Sequence, residues 1–187
     1  MDGAASEFYV EGKYDLGKWS DKPNIVTVEE LTALYLDWTE RYPIFSIEDP
    51  FDLMDIKNWA QCVAKMPKHF QIVADDLYVT QKERIDWIIK EKGAPALLLK
   101  INLCGSITDS LDAVKTALSH KWAVMASPRS GETEDVFIAH LVVGIGVGQI
   151  KTVAPCRSER VAKYNEILRF VEDEPDMHYG FPAWKYL

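Results

Sequence analysis

From residue 29 onward, short apolar runs alternate with amphipathic stretches, and this regular alternation constrains the fold more than any single motif. Glu29 to Arg41 sets Leu31, Leu34, Tyr35 and Trp38 at helical spacing, with Thr27 as the N-cap. Ile44 to Ile47 reads as a strand that runs into Glu48-Asp49-Pro50. A helix over 55–65 follows through Ile56, Trp59, Ala60 and Val63, then a strand over 70–74 closed by Asp75-Asp76. The next pair is a helix over 81–92 capped by Thr80 and a strand over 96–99 that runs into Lys100. A helix over 108–120 and a strand over 122–125 lead to the loop Ser127-Pro128-Arg129-Ser130-Gly131. A buried helix over 135–143, a strand over 148–152 and a helix over 158–171 opened by Ser158 complete the series. Strands rich in Ile, Val and Leu, each followed by a helix, predict the α/β class, with a parallel sheet covered on both faces. The repeat of roughly 25 to 30 residues suits one βα unit of a barrel, and an open doubly wound sheet has the same local grammar. No glycine-rich phosphate loop follows a strand, which argues against a dinucleotide-binding version.

Composition narrows the partners. The 187 residues are 48% hydrophobic, enough for one sizeable core. Lys and Arg number 21 against 29 Asp and Glu, a net charge of −8, so the basic stripe that neutralises phosphates is missing and nucleic acid is not an expected partner. The longest apolar run, Phe137 to Gly148, is interrupted by His140 and too short to span a bilayer. Met1 to Glu7 shows neither the basic nor the apolar region of a signal peptide. Cys62, Cys104 and Cys156 lie far apart without zinc spacing and read as free thiols in a reducing compartment. Residues 1–172 form one expected domain. Residues 173–187, with Pro175, Pro182 and several aromatics, read as an irregular tail that packs or docks.

The polar residues fall at strand ends. Glu48, Asp75, Lys100 and Lys151 each stand at or just past the C-terminal end of an apolar run, and Asp2 opens the chain in a similar setting. In parallel α/β folds that end of the sheet is where sites are built. A lone carboxylate there most simply caps the next helix, but a series drawn from separate units points to a site. Asp2, Glu48 and Asp75 would offer hard oxygen ligands suited to Mg²⁺. Two lysines desolvated beside a cation would have lowered ammonium pKa values, which makes a base available.

At these residues the chain resembles enolase (phosphopyruvate hydratase). The resemblance is carried by Asp2-Gly3-Ala4-Ala5-Ser6-Glu7-Phe8, Ser46-Ile47-Glu48-Asp49-Pro50-Phe51, Ala74-Asp75-Asp76-Leu77 and Leu97-Leu98-Leu99-Lys100-Ile101-Asn102. Arg129-Ser130-Gly131-Glu132-Thr133-Glu134-Asp135, Gly148-Gln149-Ile150-Lys151-Thr152 and Ala154-Pro155-Cys156-Arg157-Ser158-Glu159-Arg160 continue it, in order, to about residue 172. It implies the C-terminal portion of an enolase-type TIM barrel, about six of the eight βα units, with the N-terminal domain and the first strands outside this chain. It further implies that Asp2, Glu48 and Asp75 hold Mg²⁺ and that Lys100 takes the proton from carbon 2 of 2-phosphoglycerate. Lys151 would neutralise the substrate carboxylate, Arg129 and Ser130 would hold the phosphate, and Asp76 would be an acidic neighbour behind the ligands. Enolase-superfamily sites use a Lys or His base with one or two Mg²⁺ ions. The implied activity is Mg²⁺-dependent dehydration of 2-phosphoglycerate to phosphoenolpyruvate in glycolysis, in the cytoplasm.

Four positions depart from the family pattern. Pro128 stands where the family has His, Leu103 where it has Gln, Val153 where it has Gly, and His140 where it has Asp. Proline cannot donate, accept or ionise, and it biases Ser127 towards extended geometry. Val153 is costly if that position requires a positive φ, and His140 reads as a helix-packing residue rather than a ligand. The expectation is therefore a chain inactive in isolation. The alternative is a noncatalytic enolase-like module with a scaffolding role, for instance in a cytoskeleton-associated assembly. A protein partner or a second copy would cover the open edges of the partial barrel.

Overall fold

A computed structural model describes residues 1–177. Most of the expected 173–187 tail, residues 178–187, lies outside the described residues. Before the alternation begins, β1 (Tyr9–Val10), β2 (Lys13–Asp15) and β3 (Ile25–Val26) form a small antiparallel sheet. Strands of two or three residues carry no readable periodicity, so the sequence reading missed them. Tyr14 anchors this sheet: its ring meets Phe8 and Phe51, and its hydroxyl accepts the N–H of Asp52 at 2.9 Å.

The main sheet is parallel, in the order β4 (Ser46–Glu48), β5 (Gln71–Ala74), β6 (Ala96–Leu99), β7 (Ala123–Ala126). Asp2 bridges Glu48 on one flank and Ile150 bridges Ala126 on the other. Six chain segments thus follow one another across the sheet, in agreement with the expected arc of a barrel. The strand expected over 148–152 shrinks to that single bridge, held by the N–H of Ala126 on Gln149 O and the N–H of Lys151 on Ala126 O. Gly148 at φ 77 and Val153 at φ 77 interrupt extended backbone on both sides of it.

The connecting helices are α1 (Val28–Arg41), α2 (Ile56–Lys65), α3 (Lys82–Glu91), α4 (Ile101–Cys104), α5 (Ile107–Ser119), α6 (Phe137–Ile145) and α7 (Ser158–Asp173). Thr27 caps α1 as expected, in a reciprocal capping box with Glu30. One other expected cap fails. Thr80 sits at φ 49, outside the extended geometry an N-cap needs, and Gln81 precedes α3 instead. Ser158 opens α7 as expected, with Arg157 at φ 71 before it. The single turn α4 was not foreseen.

Alternation along the strands separates two faces. Ile47, Ile72, Ala74, Leu97, Leu99, Val124 and Ala126 pack into the helix-side core. Val73, Ala96, Leu98 and Ala123 form a second cluster on the opposite face, with Met125 against it. Continuing the period of two past the strand ends puts Glu48, Asp75 and Lys100 on this inner face. No helix among the described residues is long and apolar enough to cross a membrane.

Candidate metal and acid–base site

Glu48 ends β4, Asp75 follows β5 and Lys100 follows β6, so adjacent strands deliver their polar ends to one rim. Lys151 arrives beside them and donates from Nζ to Glu48 Oε1 at 2.5 Å and to Asp2 Oδ2 at 2.9 Å. Lys100 Nζ pairs with Asp75 Oδ2. The five charged residues singled out from the sequence therefore meet in two ion-pair groups. Glu48 is 6% exposed and Asp2 44%, so the buried and the solvated carboxylate share one ammonium.

Burial pushes the Glu48 carboxyl up, and the hydrogen bond and charge of Lys151 pull it only part of the way back. The lowered pKa expected of Lys151 was that of a lysine beside a bound cation; with the carboxylates alone as its neighbours the direction is upward. Burial does act downward, but the hydrogen bonds and charges of Glu48 and Asp2 outweigh it and hold the ammonium above its ordinary value.

Asp49 was quoted in the sequence but given no role, and it fastens the site together. Held at φ 42 and 6% exposed, it accepts the N–H of Asp75 on Oδ1 at 2.9 Å and the N–H of Asp76 on Oδ2 at 3.3 Å. Burial pushes its carboxyl up to about 7 against those two hydrogen bonds. Thr80 is a second residue the sequence reading misassigned. Its hydroxyl accepts the N–H of Lys100 at 3.0 Å and donates to Leu98 O at 3.1 Å, so it fixes the backbone from which Lys100 projects.

Glu48, Asp49 and Asp75 bring carboxylate oxygens within 4.8 Å of one another. Asp75 Oδ1 is buried and has no hydrogen-bond partner. An orphaned anionic oxygen among buried carboxylates is costly alone and suits a hard divalent cation, which takes oxygen ligands. The donor set therefore fits such an ion. Asp2 lies at the solvated rim of this group, one oxygen on Lys151 and the other accepting the N–H of Ala4. Asp76 is exposed beside Asp75.

Arg129 and Ser130 are exposed on the loop between β7 and α6, and the charge of Arg129 reaches Asp76. Pro128 is buried at the start of that loop and lines a cavity of about 290 Å³ with Ile101, Asn102 and Phe137. The expected strain at Val153 is present, a β-branched residue at φ 77. His140 packs as expected: its ring meets Phe170 edge-on at 4.8 Å and lies 2.9 Å from Glu166, which joins α6 to α7.

A parallel α/β sheet with carboxylates and lysines at its strand ends is the arrangement on which the enolase resemblance rests. A family model described as the enolase C-terminal TIM barrel domain matches residues 1–180, nearly the whole chain. By that match, with which the parallel α/β sheet agrees, this chain belongs to the enolase C-terminal TIM barrel domain family.

Proposed function

We propose that this rim is an enolase-type site that binds Mg²⁺ through Asp2, Glu48 and Asp75 and takes 2-phosphoglycerate as its ligand. The observation that carries the reading is the convergence of carboxylates and lysines from successive strand ends around the orphaned Asp75 Oδ1. A bound divalent cation would supply the positive charge that makes a carbanion beside a carboxylate accessible. The chain's own groups would then divide the work. Lys100 Nζ, held by Thr80 through its backbone, would take up the proton as the neutral amine, so it must first part from Asp75 Oδ2 and give its own extra proton to solvent. Lys151 offers its ammonium to the substrate carboxylate, and Arg129 and Ser130 face the phosphate.

Pro128 argues against full turnover, because the resemblance places an imidazole there and a buried pyrrolidine moves no proton. We therefore read the chain as a domain that binds substrate and metal but does not complete the dehydration unaided. The noncatalytic module is the second reading, favoured by the same Pro128. A cytoplasmic location, a division of the chain into domain and tail near residue 172, and a partner over the sheet edges belong to the same proposal.

The test follows phosphoenolpyruvate by ultraviolet absorbance with Mg²⁺ present, in the chain and in Pro128→His. Turnover that appears in Pro128→His and disappears on adding Lys100→Ala supports the enzymatic site. Absence of both turnover and calorimetric 2-phosphoglycerate binding in Pro128→His refutes it and leaves the scaffolding reading.

A further inference from the structure

Lys163 is a charged side chain without any exposed surface, and it lies on α7, away from the acidic rim. Burying an ammonium is costly unless its three protons are used. Here they are. Nζ donates to Thr133 O at 2.5 Å and to Glu159 O at 2.7 Å, and it pairs with Glu132 Oε2 at 3.0 Å. Two of the three acceptors belong to the loop between β7 and α6 that carries Arg129 and Ser130.

Glu132 passes the constraint onward. While Oε2 faces Lys163, Oε1 accepts the N–H of Arg129 at 3.2 Å. Arg160, one turn earlier on α7, donates from Nη2 to Ser130 O at 3.2 Å. Among the described residues, the hydrogen bonds and ion pairs that leave the 129–133 stretch run to α7, apart from the N–H of Asp135 on Thr133 Oγ1 within the same loop. The loop has no regular structure of its own, and these two cationic side chains tie it to α7.

We propose that Lys163 is a positioning residue: through Glu132 it holds the backbone of Arg129 and Ser130 where these residues meet an anionic ligand. This rests on the reading above that Arg129 and Ser130 face a phosphate. Exposed side chains bind an anion well only when their backbone is already ordered, since the ordering entropy is otherwise subtracted from binding. A misplacement of about 1 Å can cost on the order of a hundredfold in function.

The test compares the full chain with Lys163→Met, which removes the charge and keeps the stem. Three quantities are read: calorimetric binding of Mg²⁺ alone, binding of 2-phosphoglycerate in saturating Mg²⁺, and amide hydrogen exchange. The expected result is about tenfold weaker 2-phosphoglycerate binding, with Mg²⁺ affinity within about twofold and faster exchange confined to residues 129–135. Unchanged ligand affinity, or loss of metal and ligand binding in equal measure, overturns the proposal. If Lys163→Met does not fold, Glu132→Gln serves instead and should weaken 2-phosphoglycerate binding roughly threefold by weakening the charged pair. Should the parent chain bind no 2-phosphoglycerate, the phosphate reading falls by itself. Lys163 is then judged by exchange: unaltered protection of 129–135 overturns its positioning role, and selective loss supports it.

Discussion

Lys151→Met removes the one ammonium shared by Glu48 and Asp2, and its cost can be worked from the burial of those partners. Breaking a fully buried pair by deleting one partner costs about 3–5 kcal/mol, whereas an exposed pair is worth about 0–1 kcal/mol. The Glu48 end is nearly buried, but Lys151 is one quarter exposed and Asp2 nearly half. The loss should therefore fall between the limits, at about 2 kcal/mol at neutral pH. Its pH dependence follows from Glu48, whose carboxyl is already held above its ordinary 4.5 by burial and rises further without Lys151. A raised carboxyl favours the folded state at low pH and loses that advantage as pH rises through the folded value. The deficit of the variant should therefore shrink on acidification towards pH 4.5 and be largest at neutral pH.

Urea unfolding of the parent and Lys151→Met, with and without Mg²⁺, reads all of this in one series. Mg²⁺ should stabilise the variant more than the parent, because in the parent a cation must displace an ammonium already seated between two of the carboxylates. A neutral-pH loss under about 0.5 kcal/mol would place Lys151 among ordinary surface pairs and refute the burial argument. Equal Mg²⁺ stabilisation in both proteins would refute the competition.

Two further outcomes depend on residues outside the rim. Val153→Gly should stabilise the chain by about 1 kcal/mol in the same unfolding assay, because relief of roughly 1–3 kcal/mol of backbone strain outweighs the added freedom of glycine in the unfolded chain. Val153 is 41% exposed and little packing is lost, so a destabilised variant would mean that its φ of 77 carries no strain. Thiol labelling at neutral pH should modify exposed Cys156 first and leave Cys62 intact until unfolding, since burial pushes the Cys62 thiol up to about 12. Prompt labelling of Cys62 in the folded protein would contradict its place in the core.

The placement of the rim residues was readable because it needs only local rules. Short apolar runs mark the strands, and the polar residue at or just past each C-terminal end is Glu48, Asp75 or Lys100. The same rules fail where a residue's partner is remote. Thr80 has the chemistry of a cap, and local reasoning assigns it to α3, yet its hydroxyl is consumed by Leu98 and Lys100 across the sheet. Asp49 looks like a second acidic residue in a turn until the N–H groups of Asp75 and Asp76 are seen to converge on it.

Charge balance was the property most distant from the sequence. The residue types predicted lysines depressed by a neighbouring cation once one is bound, and said nothing of the charge balance without it. In the folded chain Lys151 faces two carboxylates, one of them 149 positions away, and its ammonium is stabilised instead. Composition cannot distinguish these cases, because the sign of the shift depends on which neighbour lies within about 3 Å and how much water screens it. Lys151 and Lys100 thus act first as counter-ions for the carboxylates they adjoin. Any reaction that uses either as a free amine or a free ammonium must begin by separating a pair that the fold has made.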